Sequence, residues 1–234
     1  MGCQRCAGAP RGDNAVTASL DSEQRFAAQR DAMVSTQIER RGVKDHKVLD
    51  AMRKVKRHLF VLERDLGEAY DDHPLPIGLG QTISQPYIVG WMTEALGLKG
   101  GEKVLEIGSG SGYQAAVLAE IAGRVFTIEI VPELAERSSR ALAAMGYANV
   151  SVKAGDGYRG WPDEAPFDGI MVTAAPPRVP EPLKEQLKVG ARLVVPVGEG
   201  WQELQVITRT QSGFVTETAF PVSFVPMTGE AQKK

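Results

Sequence analysis

Residues 103–113, KVLEIGSGSGY, constrain the fold of this chain more than any other stretch, because they read as a strand entering a glycine-rich turn and then a helix. Val104, Leu105 and Ile107 form an apolar run suited to a buried parallel strand, interrupted only by Glu106. Gly108, Gly110 and Gly112 follow at every second position. Glycine adopts positive φ without steric cost and lacks a Cβ, so a flat ligand can approach such a turn closely. Residues 114–121 resume a helical pattern. The arrangement suits a nucleotide-like cofactor, although a tight strand-to-helix turn without a ligand would carry the same glycines.

Spacing separates the cofactor classes. A dinucleotide fingerprint, G-x-G-x-x-G, would need its third glycine where Tyr113 stands. The pattern is instead G-x-G-x-G, with Glu106 two residues ahead of the first glycine. No Lys-Ser or Lys-Thr pair follows, which argues against a phosphate-binding loop. The next apolar run, residues 124–130, carries Glu129 near its end. An acid roughly 20 residues beyond the first glycine can accept two hydrogen bonds from a ribose diol. A third run, residues 149–157, ends in Asp156-Gly157. Three successive strands thus present an acid or a glycine at the carboxyl edge, where ligands sit in open α/β sheets.

The 234 residues can bury a full core, and 43% hydrophobic with 24% charged residues is ordinary for a globular chain. A net charge of −2 gives no general attraction to nucleic acid or anionic membrane. Arg53, Lys54, Lys56, Arg57 and His58 cluster locally, as a solvated helix face would. No apolar run approaches the roughly 20 residues that span a bilayer. Cys3 and Cys6 lie in a leader rich in Gly, Ala and polar residues, with no second pair to complete a zinc site and no βαβ context for redox chemistry. No metal site is expected. The leader lacks the apolar core of a signal peptide, and Cys6 stands where myristoylation wants Ser or Thr. Residues 1–21 are therefore expected to form a disordered leader, and 230–234 a tail.

Along the chain, residues 22–39 and 45–54 read as helices separated by Gly42. Residues 71–86, DDHPLPIGLGQTISQP, are dense in Pro and Gly and read as an irregular loop, followed by a helix over 87–98. Further strands are expected at 167–173 and 191–197, with a short helix at 182–187 between them. Residues 204–210 and 214–225 read as a closing antiparallel pair around Gln211-Ser212-Gly213. Helices alternating with short strands from 103 to about 198 predict an α/β fold with a doubly wound, mostly parallel sheet. The helical segment 22–70 is expected to cover one sheet edge or to form part of a lid.

VLEIGSGSGY, the acid of FTIEI and AGDGY resemble the cofactor motifs of class I S-adenosylmethionine-dependent methyltransferases. More narrowly, PLPIGLGQTISQPYIVGWMTEAL, GDGYRGWPDEAPFDGIMVTAAP and VSFVPMTG resemble the protein-L-isoaspartate O-methyltransferase family over about residues 29–229. The resemblance implies the Rossmann-like sheet of class I methyltransferases, with a closing antiparallel hairpin and an N-terminal helical addition. It implies a single domain over 22–229, with N-terminal helices and substrate loop at 22–98 and the cofactor core at 99–229. The implied reaction moves a methyl group from S-adenosylmethionine to the free α-carboxylate of L-isoaspartyl residues in damaged peptides and proteins, leaving S-adenosylhomocysteine. A cytoplasmic monomer with no nucleic-acid or membrane partner is expected.

By the same resemblance Ser84 is the active-site serine, and Gln81, Thr82 and Ile83 line the cofactor–substrate channel with it. Gly108 and Gly110 pass the methionine part of the cofactor, and Glu129 holds the ribose. Asp156 accepts from the adenine amino group, with the Gly157 backbone nearby. Glu106 meets the cofactor ammonium or orients the loop, and Thr228 lies near the site. Ser84 also precedes Pro86 and a helix, as an N-cap serine would. Lys56 and Leu62 stand where the bacterial family tends to have prolines, a change that bears on loop rigidity.

Two other functions stand beside this one. Another small-molecule or nucleic-acid substrate is the first alternative, and a class I methyltransferase acting on nucleic-acid amino groups would want Asn or Asp before Pro-Pro and an aromatic after it. The sequence is Ala174-Ala175-Pro176-Pro177-Arg178 and supplies neither. A non-catalytic module that kept the fold is the other, and intact acids at three strand ends argue against it.

Overall fold

The computed structural model describes residues 13–233, with side chains from Ser22 onward. The glycine-turn strand, β3 (Lys103–Ile107), lies between β4 (Arg124–Glu129) and β6 (Phe167–Val172), parallel to both. β1 and β2, described below, lie outside this sheet. β5 (Val150–Ala154) extends it beyond β4, and β7 (Leu187–Val197) extends it beyond β6. β8 (Gln202–Thr210) and β9 (Gly213–Val222) close it as an antiparallel pair, giving the order β5-β4-β3-β6-β7-β8-β9. From β3 the chain winds one way to β5, then returns to the other side at β6. The loops after β3 and β6 therefore diverge and leave a crevice at their carboxyl ends.

Alternate residues of each strand serve two cores. Val104, Val125, Met171 and Val194 face a helical layer. That layer holds α3 (Pro86–Leu96), α4 (Tyr113–Ala119) and α5 (Pro132–Ala144), and α5 occupies a stretch unassigned from sequence. Leu105, Ile107, Phe126, Ile170 and Leu193 face the opposite side, beneath α6 (Glu181–Glu185) and the C-terminal turn. Both faces are covered, so the strands carry near-continuous apolar runs.

α1 (Asp13–Ala32) starts earlier than expected and continues through a wider turn to Ile38, where Gly42 (φ +109°) ends the run. Its start at Asp13 falls within the stretch expected as leader, whereas Cys3 and Cys6 lie outside the described residues. Ala, Leu, Glu and Gln there favour a helix without marking one apolar face. α2 (His46–Lys54) is capped by Asp45, which accepts from the Lys47 amide at 2.9 Å. Met33, Val34, Ile38, Leu49 and Met52 join the core of the helical layer. The segment packs on α3 and α4 as an outer layer. Gly90 permits this approach: a Cβ there would stand 2.9 Å from Ile38 and 3.1 Å from Met52.

The loop expected over 71–86 contains a hairpin of its own, β1 (Leu75–Gly78) and β2 (Gln81–Ile83). Leu75 and Ile77 are buried while Pro76 is exposed, the period-2 signal that its Pro and Gly content masked. The other boundaries shift modestly, β7 starting at Leu187 and β9 ending at Val222. No described helix is long and apolar enough to cross a membrane.

Candidate active site

The crevice predicted by the topology holds the glycine turn. Gly108, Gly110 and Gly112 sit at φ +99°, +51° and +91°, so each occupies a conformation that disfavours side chains. A Cβ on Gly108 would overlap Thr173 Oγ1, whose hydroxyl donates to the Gly108 carbonyl at 2.7 Å. Thr173 begins the loop after β6 and its amide donates to the Ile107 carbonyl, joining the two loops at the switch point.

Glu129, buried at the end of β4, faces this turn. Its Oε2 accepts from the Gly110 amide at 2.8 Å and its Oε1 from the Val131 amide at 3.0 Å. Gly157 is buried beyond β5, and a Cβ on it would overlap Ile107 Cγ2. Across the turn lies the hairpin, whose Gln81, Thr82 and Ile83, with Ser84, form the opposite wall. Thr228 and the preceding residues 225–227 complete the cleft, held there by the Met227 amide donating to the Ala175 carbonyl. The structure thus brings Gln81, Thr82, Ile83, Ser84, Gly108, Gly110, Glu129, Gly157 and Thr228 around one cleft.

Ser84 is not the helix cap. Pro86 is the first helical residue, so the cap falls on Gln85, which makes no side-chain cap bond. Ser84 lies one residue further out, and its hydroxyl has no hydrogen-bond partner among the described residues. It also opens onto a second groove lined by Pro74, Gln85, Ile88 and residues 221–225, which shares Thr82, Ser84, Thr173 and Val225 with the cleft.

Two expected site residues, Glu106 and Asp156, are not part of the cleft wall. Glu106 is fully buried beneath the turn, on the helical face of β3, beside its register partner Thr127, whose hydroxyl donates to Oε2. Burial pushes its carboxyl up to about 8, with the nearby Glu129 charge adding and the Thr127 bond opposing. A mostly neutral carboxyl outside the cleft wall does not fit direct contact with a ligand ammonium. Asp156 is exposed at the rim. Its Oδ1 caps the turn Gly157–Arg159 through the Tyr158 amide at 2.9 Å, and its Oδ2 accepts from the Glu230 amide at 2.7 Å. Both oxygens are engaged in fastening the C-terminal turn, a contact 74 residues away in sequence that no local pattern announces.

Ser111, Tyr113, Gln114 and Thr173 also line the cleft, beyond the residues expected from sequence. Thr173 carried a usable signal, its place at the carboxyl end of a strand beside the switch point. Tyr113 did not, because what holds it is tertiary. The buried Arg57 guanidinium lies 4.9 Å from its ring centre, and Phe60 meets it edge-on at 5.6 Å. Burial lowers the Arg57 guanidinium to about 10 and raises the Tyr113 hydroxyl to about 12.

The profile of the protein-L-isoaspartate(D-aspartate) O-methyltransferase family matches residues 28–232. The chain belongs to this family. A protein-L-isoaspartate O-methyltransferase of Synechococcus sp. strain JA-2-3B'a(2-13) is 55% identical over 215 residues, covering 88% of each chain. One from Gloeobacter violaceus is 57% identical over 200 residues, covering 85% of this chain and 98% of the relative. A solved protein-L-isoaspartate O-methyltransferase superposes with a TM-score of 0.78 at 28% identity, over 86% of this chain and 67% of that one. A putative one from Plasmodium falciparum, solved with S-adenosyl-L-homocysteine, gives 0.71 at 25% identity, over 85% and 98%. Family membership supports the mostly parallel class I methyltransferase architecture seen in the sheet and does not favour a nucleic-acid substrate.

Proposed function

We propose that the cleft binds S-adenosylmethionine and that the protein methylates the α-carboxylate of L-isoaspartyl residues in damaged proteins. The observation that carries this reading is the position of Ser84, which lies on the boundary between the glycine-turn cleft and the adjoining groove. A group presented from the groove meets the cofactor side of the cleft at that hydroxyl.

The donor set fits the cofactor. Positive-φ glycines leave a cradle that side chains would fill, suited to the methionine part beside Gly108 and Gly110. Glu129 retains lone pairs for the ribose hydroxyls, and Gly157 offers a surface without a side chain for the adenine. Asp156 keeps a rim position from which a further acceptor lone pair can reach the adenine amino group. Thr228, Gln81, Thr82 and Ile83 enclose the remainder. When bound, S-adenosylmethionine supplies a methyl group activated by its sulfonium charge.

The chain's own task is placement. A substrate carboxylate with a pKa near 4 is already ionised at neutral pH, so no residue has to remove a proton. Ser84 has a free hydroxyl to donate to that carboxylate and hold one oxygen in line with the methyl carbon. The walls exclude water that would compete for the site. Glu106 supports the turn from below without touching the reactants.

On this reading residues 22–229 form one methyltransferase domain that acts as a monomer in the cytoplasm, with neither nucleic acid nor membrane as partner. The deciding assay offers radiolabelled S-adenosylmethionine with an isoaspartyl peptide, its aspartyl twin and an RNA. Base-labile label on the isoaspartyl peptide alone is the expected outcome. Equal labelling of the twin, or labelling of RNA, sinks the assignment.

A further inference from the structure

Two consecutive residues of α5 reach the two walls of the cleft. Ser138 holds the glycine turn: its Oγ lies 3.0 Å from Ser109 Oγ, and its Cβ stands 3.3 Å from where Gly112 would carry one. Arg137 holds the hairpin. Its Nη2 donates to the Ile77 carbonyl at 2.7 Å, and it has no carboxylate partner among the described residues. The cationic fork is thus committed to one backbone oxygen of β1, a charge-assisted bond stronger than a neutral one.

Ile77 sits where the hairpin closes on the turn. Its side chain is fully buried, with Cδ1 only 3.4 Å from the position a Gly110 Cβ would take. The Thr82 carbonyl is 4.0 Å from the same point. A ligand lying along Gly108 and Gly110 would therefore have the hairpin as its opposite wall, so the position of the hairpin bears on its entry and exit. The hairpin tip, Gly78-Leu79-Gly80, has φ of +88°, +55° and +72° in succession. Leu79 is a non-glycine residue at positive φ and is 57% exposed, so the tip is neither relaxed nor packed. Leu75, Ile77 and Ile83 anchor the wall in the core, and the Arg137 bond just before the tip ties it to α5.

We propose that Arg137 is a positioning residue that latches the β1–β2 hairpin over the glycine turn and so sets how long the cofactor and its product stay bound. The inference rests on reading the cleft as an S-adenosylmethionine site. Lid opening and product release commonly govern turnover, and a latch of this kind acts on those steps without touching the reacting atoms.

The test measures release of radiolabelled S-adenosylhomocysteine after rapid dilution, for wild type, Arg137→Ala and Arg137→Lys, with melting temperatures alongside. Arg137→Ala is expected to release the product about tenfold faster, the worth of one lost charge-assisted hydrogen bond. The KM for S-adenosylmethionine should rise with it while kcat does not fall. Arg137→Lys, which keeps the charge but not the fork, should fall between the two, and it carries the test if the alanine variant does not fold. Wild-type release rates in a folded variant overturn the latch, even if its melting temperature drops, because that pattern marks a structural role only. Failure of the wild type to retain S-adenosylhomocysteine at all is a different result: it removes the cofactor reading, and the latch with it.

Discussion

Glu129 Oε2 accepts a hydrogen bond from the Gly110 amide at 2.8 Å, tying the end of β4 to the middle of the glycine turn. Its other oxygen accepts from the Val131 amide, at the start of the loop that enters α5. One carboxylate therefore shapes the turn, orients the following helix and faces the cleft. Strand end, turn and helix start are placed relative to one another by a single side chain.

Replacing this group tests both duties. In Glu129→Gln the amide NH2 must face a backbone N–H, so one of the two bonds is lost and the negative charge disappears. S-adenosylmethionine affinity is expected to fall at least about tenfold, from the loss of a charge-assisted acceptor. Titration calorimetry on the folded variant checks it. Affinity equal to wild type would show that the ribose does not use this carboxylate.

Ser84 makes the opposite kind of prediction. Gln85 takes the cap position and the Ser84 hydroxyl has no hydrogen-bond partner among the described residues, so Ser84→Ala removes none of the described interactions. Its stability should stay within about 0.5 kcal/mol of wild type. Its kcat on an isoaspartyl peptide should drop about 100-fold, the usual worth of one donor that aligns a reacting oxygen. Denaturant melts and steady-state kinetics on the same preparation separate the two quantities, and unchanged turnover would remove Ser84 from the mechanism.

What could be read in the letters was what short-range chemistry determines. The glycine turn, Glu129 and the parallel core were legible because each rests on neighbours within one strand–turn–helix unit. The β1–β2 hairpin was not, since strands of four and three residues, the first half Pro and Gly, persist through tertiary packing of Leu75, Ile77 and Ile83. Ser84 looked like a cap because caps prefer serine, but a proline in the first helical position places the cap one residue earlier than itself, at Gln85. The family resemblance left Glu106 either meeting the cofactor ammonium or orienting the loop. Which face it takes follows from the period-2 alternation of β3, and only the helical layer above makes that face dry.

Burial of Glu106 gives the protein a signature in pH. Its carboxyl is raised to about 8 in the folded state, against an ordinary 4.5. Between these values the unfolded chain has lost the proton that the folded chain keeps. Fewer protons are bound on unfolding, so stability falls as pH rises through this window and levels off above about 8. Glu106→Gln, neutral at every pH, should abolish that portion of the slope and melt higher than wild type at pH 8. Melting curves from pH 5 to 9 on both proteins decide the point, and parallel curves would mean that Glu106 is ionised in the fold.

Gly157 isolates sterics from backbone freedom, because its φ is not in the left-handed region and alanine is conformationally acceptable there. A Cβ at this position overlaps Ile107 Cγ2, at the end of the strand that feeds the glycine turn. Gly157→Ala should therefore cost about 1–3 kcal/mol by overpacking. It should also weaken S-adenosylmethionine binding, since Ile107 and Gly157 both line the cleft and a shift of either alters its wall. Ile107→Leu removes the offending γ-methyl while keeping side-chain volume, so the double variant should regain most of the stability lost in Gly157→Ala. A double-mutant cycle in urea measures that coupling. Strict additivity of the two changes would show that the glycine is required by something other than its contact with Ile107.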